Sequence, residues 1–350
     1  MKNTYLNLWR QTALAALTVL CLTLTLGCGD DNKDRPAKTE QAKPCVGVLL
    51  YREDDVYISM VNSALRAALG DQVRVEVLAA KSDHLTQMEQ LDELLNKKVN
   101  TLVVNLVDTQ TAAVFLDKAK KASIPIIFFN REPDLSILRS YAGKTCFVGT
   151  NTEDAGKMQG DMIKKLWDAH PEFDRNKDGK FQYIMLQANP DNPEAVARTE
   201  YSVRQAVEKG LPMAQLGLSY MCEWDENLAK QAMSLAMAEH GTKIELVIAN
   251  NDSMALGAVA ALAENGYNAG DKSRFIPVVG VDAIPKAVEA IRQGTMSATV
   301  KQDAEAMGKA VAAIALNAVS RKPLLENTAY AWDNSGIAVR IPYAPFDGGQ

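Results

Sequence analysis

From residue 46 onward the chain alternates short apolar runs with stretches of helical periodicity, and no other feature narrows its fold so far. VGVLLY (46–51) precedes a helix covering MVNSALRAAL, VRVEVLA (74–80) precedes one near LTQMEQLDELLNKK, and TLVVNL (101–106) precedes DTQTAAVFLDKAKKA. PIIFF (125–129) closes this first series. The rhythm then restarts with helix EDAGKMQGDMIKKLWDAH and strand FQYIMLQ, then helix PEAVARTEYSVRQAVEKG and strand LGLSYM. It continues through helix NLAKQAMSLAMAEH, strand IELVIAN, helix SMALGAVAALAENG and strand FIPVVGVD. Continuous β-rich runs between amphipathic helices predict parallel sheets buried on both faces. Two such series in one chain predict an α/β protein of two doubly wound parallel-sheet lobes.

Ahead of this region, MKNTYLNLWR carries Lys2 and Arg10, and the apolar run ALAALTVLCLTLTLG follows from residue 13. These are the n-region and h-region of a signal peptide over residues 1–27, the run being too short for a stable transmembrane helix. It stops at Leu26-Gly27-Cys28, and the polar stretch GDDNKDRPAKTEQAKP follows. A small residue before a cysteine and then a polar tether, 28–44, resembles the lipobox of bacterial lipoproteins, with Thr25 where that box usually has Leu. An acylated Cys28 would hold the protein on a membrane surface without a span, and the expected location is periplasmic. An ordinary signal peptide with an incidental cysteine is the alternative.

Removing residues 1–27 leaves 323 residues, enough for two cores, and takes the formal charge from −5 to −7 as Lys2 and Arg10 leave. No basic stripe remains to track phosphates, so nucleic acid is not an expected partner. Cys45, Cys146 and Cys222 are scattered, without metal spacing or a CxxC, and read as single buried thiols, a disulfide being left open.

In doubly wound sheets ligands sit outside the carboxyl ends of strands. That rule selects Asp55, Asn130, Asn192, Asn251 and Asp282. No G-x-G-x-x-G follows the first strand, and there is no P-loop and no G-x-S-x-G elbow. His84, His170 and His240 lie far apart on helices or helix ends and read as surface or capping residues. No base stands poised beside a nucleophile, so an enzyme is not expected.

What remains at the strand ends is rich in Asp, Asn, Glu and Arg. IIFFNREP places Asn130 and Arg131 past a strand, QANPDNPEAVAR brings Asn192, Glu194 and Arg198, and IANND brings Asn250, Asn251 and Asp252. Each alone is most often a turn former or helix cap, and Asp252 before SMALGAVAAL is read as an N-cap. Together they suit a ligand made of hydroxyls, because each hydroxyl can donate once and accept twice. The aliphatic faces of a sugar ring also call for an aromatic wall, and Tyr57 and Trp224 are the candidates. For Trp224 a second reading stands, partial burial beside a helix start.

GVLLYREDD, FFNREP, FVGTNTEDAG, DRNKDGKFQ, ELVIANNDSMALGAV, PVVGVDAIPKAV and the closing VRIPY together resemble the bacterial D-galactose/D-glucose-binding proteins, which serve ABC sugar importers and sugar chemotaxis. The resemblance implies the type I periplasmic-binding-protein fold, two lobes joined by three hinge strands that close on one sugar. It implies hinges near Gly149–Asn151, Lys301–Asp303 and Ala338–Arg340, an N-lobe of 45–149 plus 304–338 and a C-lobe of 150–302 plus 340–350. It implies that Asp55, Asn130, Arg198, Asn251 and Asp282 contact the sugar, with Trp224 and Tyr57 stacking on it, Tyr57 standing where the family has Phe. Asn192 stands for a His, Glu194 for an Asp and Gln302 for an Asn, so the ranking of glucose against galactose does not follow.

DRNKDGKFQ (174–182) reads like the opening of an EF-hand loop, with Asp174, Asn176 and Asp178 at positions 1, 3 and 5 and Gly179 at the turn. Position 12 is Met185 where a Glu belongs. The resemblance implies a structural Ca2+ held by Asp174, Asn176, Asp178, the Lys180 carbonyl, Gln182 and the distant Glu245. A metal-free polar turn is the alternative.

The expected function is therefore that of a lipid-anchored, monomeric receptor delivering D-glucose or D-galactose to the permease of an ABC importer. The alternative is a receptor that presents sugar to a chemoreceptor or other surface partner without transport. A transcriptional regulator with the same lobes would need a helix-turn-helix where this chain has a signal peptide.

Overall fold

The computed structural model describes residues 43–348; the expected signal peptide, most of the tether and Cys28 lie outside them. The first series of elements is β1 (Cys45–Leu50), α1 (Val56–Leu69), β2 (Arg74–Ala79), α2 (His84–Asn96), β3 (Thr101–Val104), α3 (Ala112–Lys121), β4 (Ile126–Phe129), α4 (Leu135–Leu138) and β5 (Thr145–Gly149). The second is α5 (Thr152–Ala169), β6 (Phe181–Gln187), α6 (Pro193–Glu208), β7 (Met213–Gln215), β8 (Tyr220–Met221), α7 (Glu226–His240), β9 (Leu246–Ala249), α8 (Asp252–Glu264), β10 (Val278–Asp282), α9 (Pro285–Arg292) and β11 (Ala298–Gln302). The chain then runs through α10 (Ala304–Val319), β12 (Ala338–Arg340) and β13 (Tyr343–Phe346).

Two sheets result. The first has the order β12-β5-β4-β3-β1-β2 and is parallel throughout. The second has the order β13-β11-β10-β9-β6-β7 with β8 on β6, parallel except for β13 on β11. In both, the order reverses beside the opening strand, between β1 and β3 and between β6 and β9, which places a ligand crevice at the carboxyl ends there.

The burial of β1 explains why its sequence shows no alternation. Val46, Val48 and Leu50 enter a core with α1 and α10, while Cys45 and Leu49 enter another with α2 and α3. Successive side chains point to opposite faces, and both faces are covered. Helix α10 approaches α1 closely at Gly308, where a Cβ would stand 2.6 Å from the Val61 carbonyl oxygen. Gly257 does the same for α8 on α7, at 2.2 Å from the Glu226 carbonyl oxygen.

Within the described residues the chain passes between the lobes three times, at Thr150–Asn151 after β5, at Asp303 after β11 and at Ile341–Pro342 after β12. Because β12 pairs with β5, Ala338–Arg340 belongs to the N-lobe sheet, and the third passage falls just beyond the expected position. The expected strand LGLSYM is strand only at Tyr220–Met221, with β7 ahead of it at Met213–Gln215. Cys45, Cys146 and Cys222 are buried and free. No helix among the described residues is long and apolar enough to cross a membrane.

Candidate functional site

Asp55, Tyr57, Asn130, Asn192, Glu194, Arg198, Trp224, Asn251, Asp282 and Gln302 line one cleft between the lobes, together with Tyr51, Ile58 and Arg131. The space among them is about 30 Å³, and it adjoins an outer chamber of about 250 Å³ that shares Tyr51, Arg131, Asn192 and Trp224. Room for about one water at the deep end means that a ligand enters as side chains shift or lobes part.

Helix starts position several of these residues. Asp55 caps α1, its Oδ1 accepting from Ile58 N at 2.9 Å, and its Oδ2 accepts from the Tyr51 hydroxyl. Asn192 caps α6 and Asn251 caps α8 through their side-chain oxygens. The oxygen of Asn130 accepts from Asn105 Nδ2 at 3.2 Å. The capping role is thus real for Asp55, Asn192 and Asn251, and each asparagine turns its oxygen to the protein and keeps its amide NH2 for another partner. Asn130 (φ 62°), Trp224 (φ 64°) and Asp282 (φ 121°) hold left-handed backbone conformations that non-glycine residues seldom adopt, and such positions gather at functional sites.

Arg198 is the centre of the deep end. It is 2 % exposed, and Nη1 donates to the Asn250 carbonyl at 2.8 Å. Its Nη2 reaches Gln302 Oε1 at 2.8 Å, the Tyr343 hydroxyl at 3.2 Å and Glu194 Oε2 at 3.4 Å, while Asp282 lies 3.6 Å away. Each passage delivers a side chain here: Thr150 donates to Glu194 Oε1 at 2.9 Å, Gln302 ends β11 and Tyr343 opens β13. Burial raises the Asp282 carboxyl well above its ordinary value, Arg198 opposing and Asp252 adding to the shift. Three donors, Arg198 Nε, Gln302 Nε2 and Trp224 Nε1, are buried without a partner among the described residues. Buried donors left unpaired are destabilising unless something accepts from them. The arrangement therefore offers free donors and the carboxylates of Asp55, Glu194 and Asp282 to a ligand with many hydroxyls.

The aromatic walls are Tyr57 and Trp224, 5 % and 8 % exposed. The hydroxyl of Tyr57 donates to Met307 Sδ at 3.5 Å, so it turns into the N-lobe core and leaves the ring to the cleft. Sequence reasoning did not select Tyr51, Thr150 or Tyr343. Tyr51 holds Asp55 and carries the Arg131 guanidinium 3.7 Å from its ring centre. Its place immediately after VGVLL, four residues ahead of Asp55, was the available signal.

Around 174–182 the backbone wraps its own side chains. Asp174 accepts from Asp178 N at 3.1 Å and Gly179 N at 3.0 Å, and Asn176 Oδ1 accepts from Asp178 N at 2.9 Å. Glu245, 1 % exposed, accepts from Arg175 N at 2.7 Å through Oε1 and from Gln182 N at 3.1 Å through Oε2. The distant carboxylate is thus at the loop, while Met185 is buried in β6. The amide of Gln182 donates to Asp178 Oδ2 at 2.6 Å, and its Oε1 is buried with no donor among the described residues. Among the described residues no three His, Cys, Asp or Glu side chains are grouped so as to hold a metal by themselves. The oxygen set here is mixed, with Asn176, Gln182 and the Lys180 carbonyl beside the carboxylates, which is the oxygen chemistry a hard cation takes.

A family profile described as "Periplasmic binding protein domain" matches residues 46–323. The chain belongs to the periplasmic binding protein family. It is 34% identical over 305 residues to the D-galactose/methyl-galactoside binding periplasmic protein MglB of Haemophilus influenzae, covering 86% of this chain and 89% of that one. Among solved structures it resembles an ABC transporter solute binding protein from Bacillus halodurans with bound myo-inositol, at 25% identity and TM-score 0.71, over 89% of this chain and 96% of the other. An ABC transporter solute binding protein from Clostridium phytofermentans with bound β-D-glucose shares the fold at TM-score 0.70 and 19% identity, over 87% and 94%. Periplasmic binding proteins are solute-binding receptors of transport systems and not enzymes.

In this periplasmic binding protein Asp252 is not the cap expected of it. Asn251 takes the cap, and Asp252, as first residue of α8, is turned inward and fully buried. Its Oδ2 accepts from Ile284 N at 2.9 Å and its Oδ1 from the Thr299 hydroxyl at 2.6 Å. Burial pushes its carboxyl up to about 7, against the pull of these hydrogen bonds and of Arg198. A carboxyl with a raised folded pKa binds its proton more tightly when folded. Its stabilising contribution is complete below about pH 4 and is lost as pH rises through about 7. Asp252→Asn keeps the Ile284 bond and lets the Thr299 hydroxyl turn to accept. It is expected to be more stable than the parent by about 1–2 kcal/mol at pH 8, with no gain at pH 4. Parallel melting curves against pH for the two proteins would remove Asp252 from this role.

Proposed function

We propose that this periplasmic binding protein is a lipid-anchored receptor that captures D-glucose or D-galactose between its lobes and delivers it to an ABC importer. The observation that carries the reading is the cleft itself, where acceptor carboxylates, amide NH2 groups and the unpartnered donors of Arg198, Gln302 and Trp224 share one lining with the aromatic rings of Tyr57 and Trp224. A pyranose has hydroxyls at its edge and aliphatic faces above and below, which suits such walls. The name of the Haemophilus influenzae relative supports a hexose over other polyols. Anchoring through Cys28 is supported by Leu26-Gly27-Cys28 and the polar stretch after it. A Ca2+ in the 174–182 loop is supported by the buried, partnerless Gln182 Oε1 and the arrival of Glu245. Its role would be to tie the loop to the start of β9.

Hexose capture is tested by calorimetry with both sugars, and absence of heat at millimolar hexose would end the reading. Asp55→Ala is expected to weaken binding by more than about tenfold, since a hydrogen bond to a charged group contributes about 1.5–3 kcal/mol. Its loss of the α1 cap should also lower stability by about 1 kcal/mol. Asp55→Asn keeps a capping oxygen and separates the two effects, its affinity falling while its stability holds. Unchanged affinity in both variants would remove Asp55 from the site.

A further inference from the structure

We infer that Arg52 holds the occupied cleft shut, its guanidinium closing as a fork on two backbone carbonyls of the opposite lobe. The inference rests on the hexose-receptor reading above and concerns a residue outside the proposed sugar contacts. Arg52 lies between β1 and α1 in the N-lobe, and Glu223 and Trp224 lie ahead of α7 in the C-lobe. Its Nη1 donates to the Glu223 carbonyl at 3.3 Å and its Nη2 to the Trp224 carbonyl at 3.5 Å. Among the described residues the hydrogen bonds to these two carbonyls come from Arg52.

Both sides of the contact are prepared for it. On the N-lobe, Asp54 Oδ1 stands 3.2 Å from Arg52 Nε, and the guanidinium lies 5.5 Å from the ring centre of Tyr51, the residue that holds Asp55. On the C-lobe, Glu223 (φ 49°) and Trp224 (φ 64°) are consecutive left-handed non-glycine residues, a conformation that persists only where its surroundings enforce it. The turn is pinned at its ends, by Cys222 N donating to the Gln187 carbonyl and by Asp225 capping α7. Between those pins the peptides present both oxygens to one planar fork, a geometry that guanidinium matches and ammonium does not. The same turn carries the indole of Trp224 into the cleft.

The consequence is kinetic. When the lobes part, Arg52 loses both carbonyls to the widening gap and is solvated, so the fork adds nothing to the encounter of ligand with the open form. When they meet, it fixes the backbone beneath Trp224 and must break before ligand leaves. Arg52 is thus a positioning residue that acts on the ligand through Trp224, and its contribution falls on dissociation.

The test is stopped-flow tryptophan fluorescence with D-galactose and D-glucose on the wild type, Arg52→Met and Arg52→Lys, with melting of each protein free and saturated. Arg52→Met is expected to dissociate about tenfold faster, with association within about twofold and an unchanged melting temperature in the free protein. Arg52→Lys should recover part of the loss, since it keeps the charge but not the fork. An unchanged dissociation rate, or a fall in free-protein melting that accounts for the whole effect, would overturn the inference. If the wild type binds neither hexose, the hexose reading fails by itself. The latch is then judged from the distance between spin labels at the exposed Leu85 and Leu228, on opposite lobes. A population with short distances in the wild type that is depleted in Arg52→Met supports it, and identical distributions overturn it.

Discussion

Replacing Arg198 with methionine is expected to abolish measurable hexose binding and to destabilise the fold by about 3–5 kcal/mol at pH 8. Methionine reproduces much of the arginine stem, so packing alone would account for little of this. The charge decides it. Arg198 is the buried cation of the deep end, with Glu194 at 3.4 Å and Asp282 at 3.6 Å, both carboxylates being nearly inaccessible. Burial by itself would lower the pKa of Arg198, and Tyr343, Glu194 and Asp282 raise it above the ordinary value, which keeps the cation charged throughout the accessible pH range. Without it the two carboxylates lose their partner, and the Gln302 and Tyr343 oxygens lose a donor. The sign of the pH dependence follows. Asp282 already sits above its ordinary value, and removing the opposing cation raises it further. A raised carboxyl stabilises at low pH and loses that contribution as pH increases. The deficit of Arg198→Met should therefore shrink as pH falls from 8 toward 5, measured by thermal melting. Arg198→Lys should restore part of the stability but little of the binding, because a point charge cannot serve four acceptors at once. Equal melting of wild type and Arg198→Met at pH 8 would show that the deep end is held by something else.

The central strands of both lobes were legible in the sequence because burial on two faces forces continuous apolar runs, as in CVGVLL of β1 and FQYIMLQ of β6. The peripheral ones were not. Strand β5 was met only as part of FVGTNTEDAG, and β12 and β13 are three and four residues long beside prolines. Strand-end logic found Asp55, Asn130, Asn192, Asn251 and Asp282, since the topology fixes which end of a strand faces the crevice, and all five line one cleft. It could not find Tyr343 or Thr150. Those come from the passages between lobes, and their contact with Arg198 and Glu194 depends on how the two sheets face each other. Asp252 went the other way. Local chemistry favours a cap for an Asp before SMALG, but Asn251 already fills that place, and Ile284 and Thr299 draw Asp252 inward. Tertiary partners far along the chain settled that competition.

Chelation should lower the melting temperature by about 10 °C while changing hexose affinity by less than about threefold. The size follows from linkage: a cation present at about a thousand times its dissociation constant adds about 4 kcal/mol, and a chain of this length shifts by a few degrees per kcal/mol. The direction follows from the loop. Burial raises the pKa of Glu245, the backbone amides of Gln182, Arg175 and Asn176 oppose this, and Asp174 adds to it. Without a cation, a carboxylate in this state weakens the fold as pH rises through its folded pKa, and a cation reverses that by favouring the charged form. The effect of chelation should therefore be larger at pH 8 than at pH 5. Affinity should stay nearly constant because no oxygen of the 174–182 loop lines the cleft. The loop leads into the amino end of β6 and is tied by Glu245 to the amino end of β9, strands with mostly buried side chains, whereas the cleft lies at their carboxyl ends. Glu245→Gln keeps one acceptor for the loop amides but removes the charge, and it should abolish most of the Ca2+-dependent shift. A melting temperature indifferent to both chelator and added Ca2+ would leave DRNKDGKFQ as a metal-free turn. A loss of hexose affinity larger than the loss of stability would place the ion in the ligand's path instead of at the base of a strand.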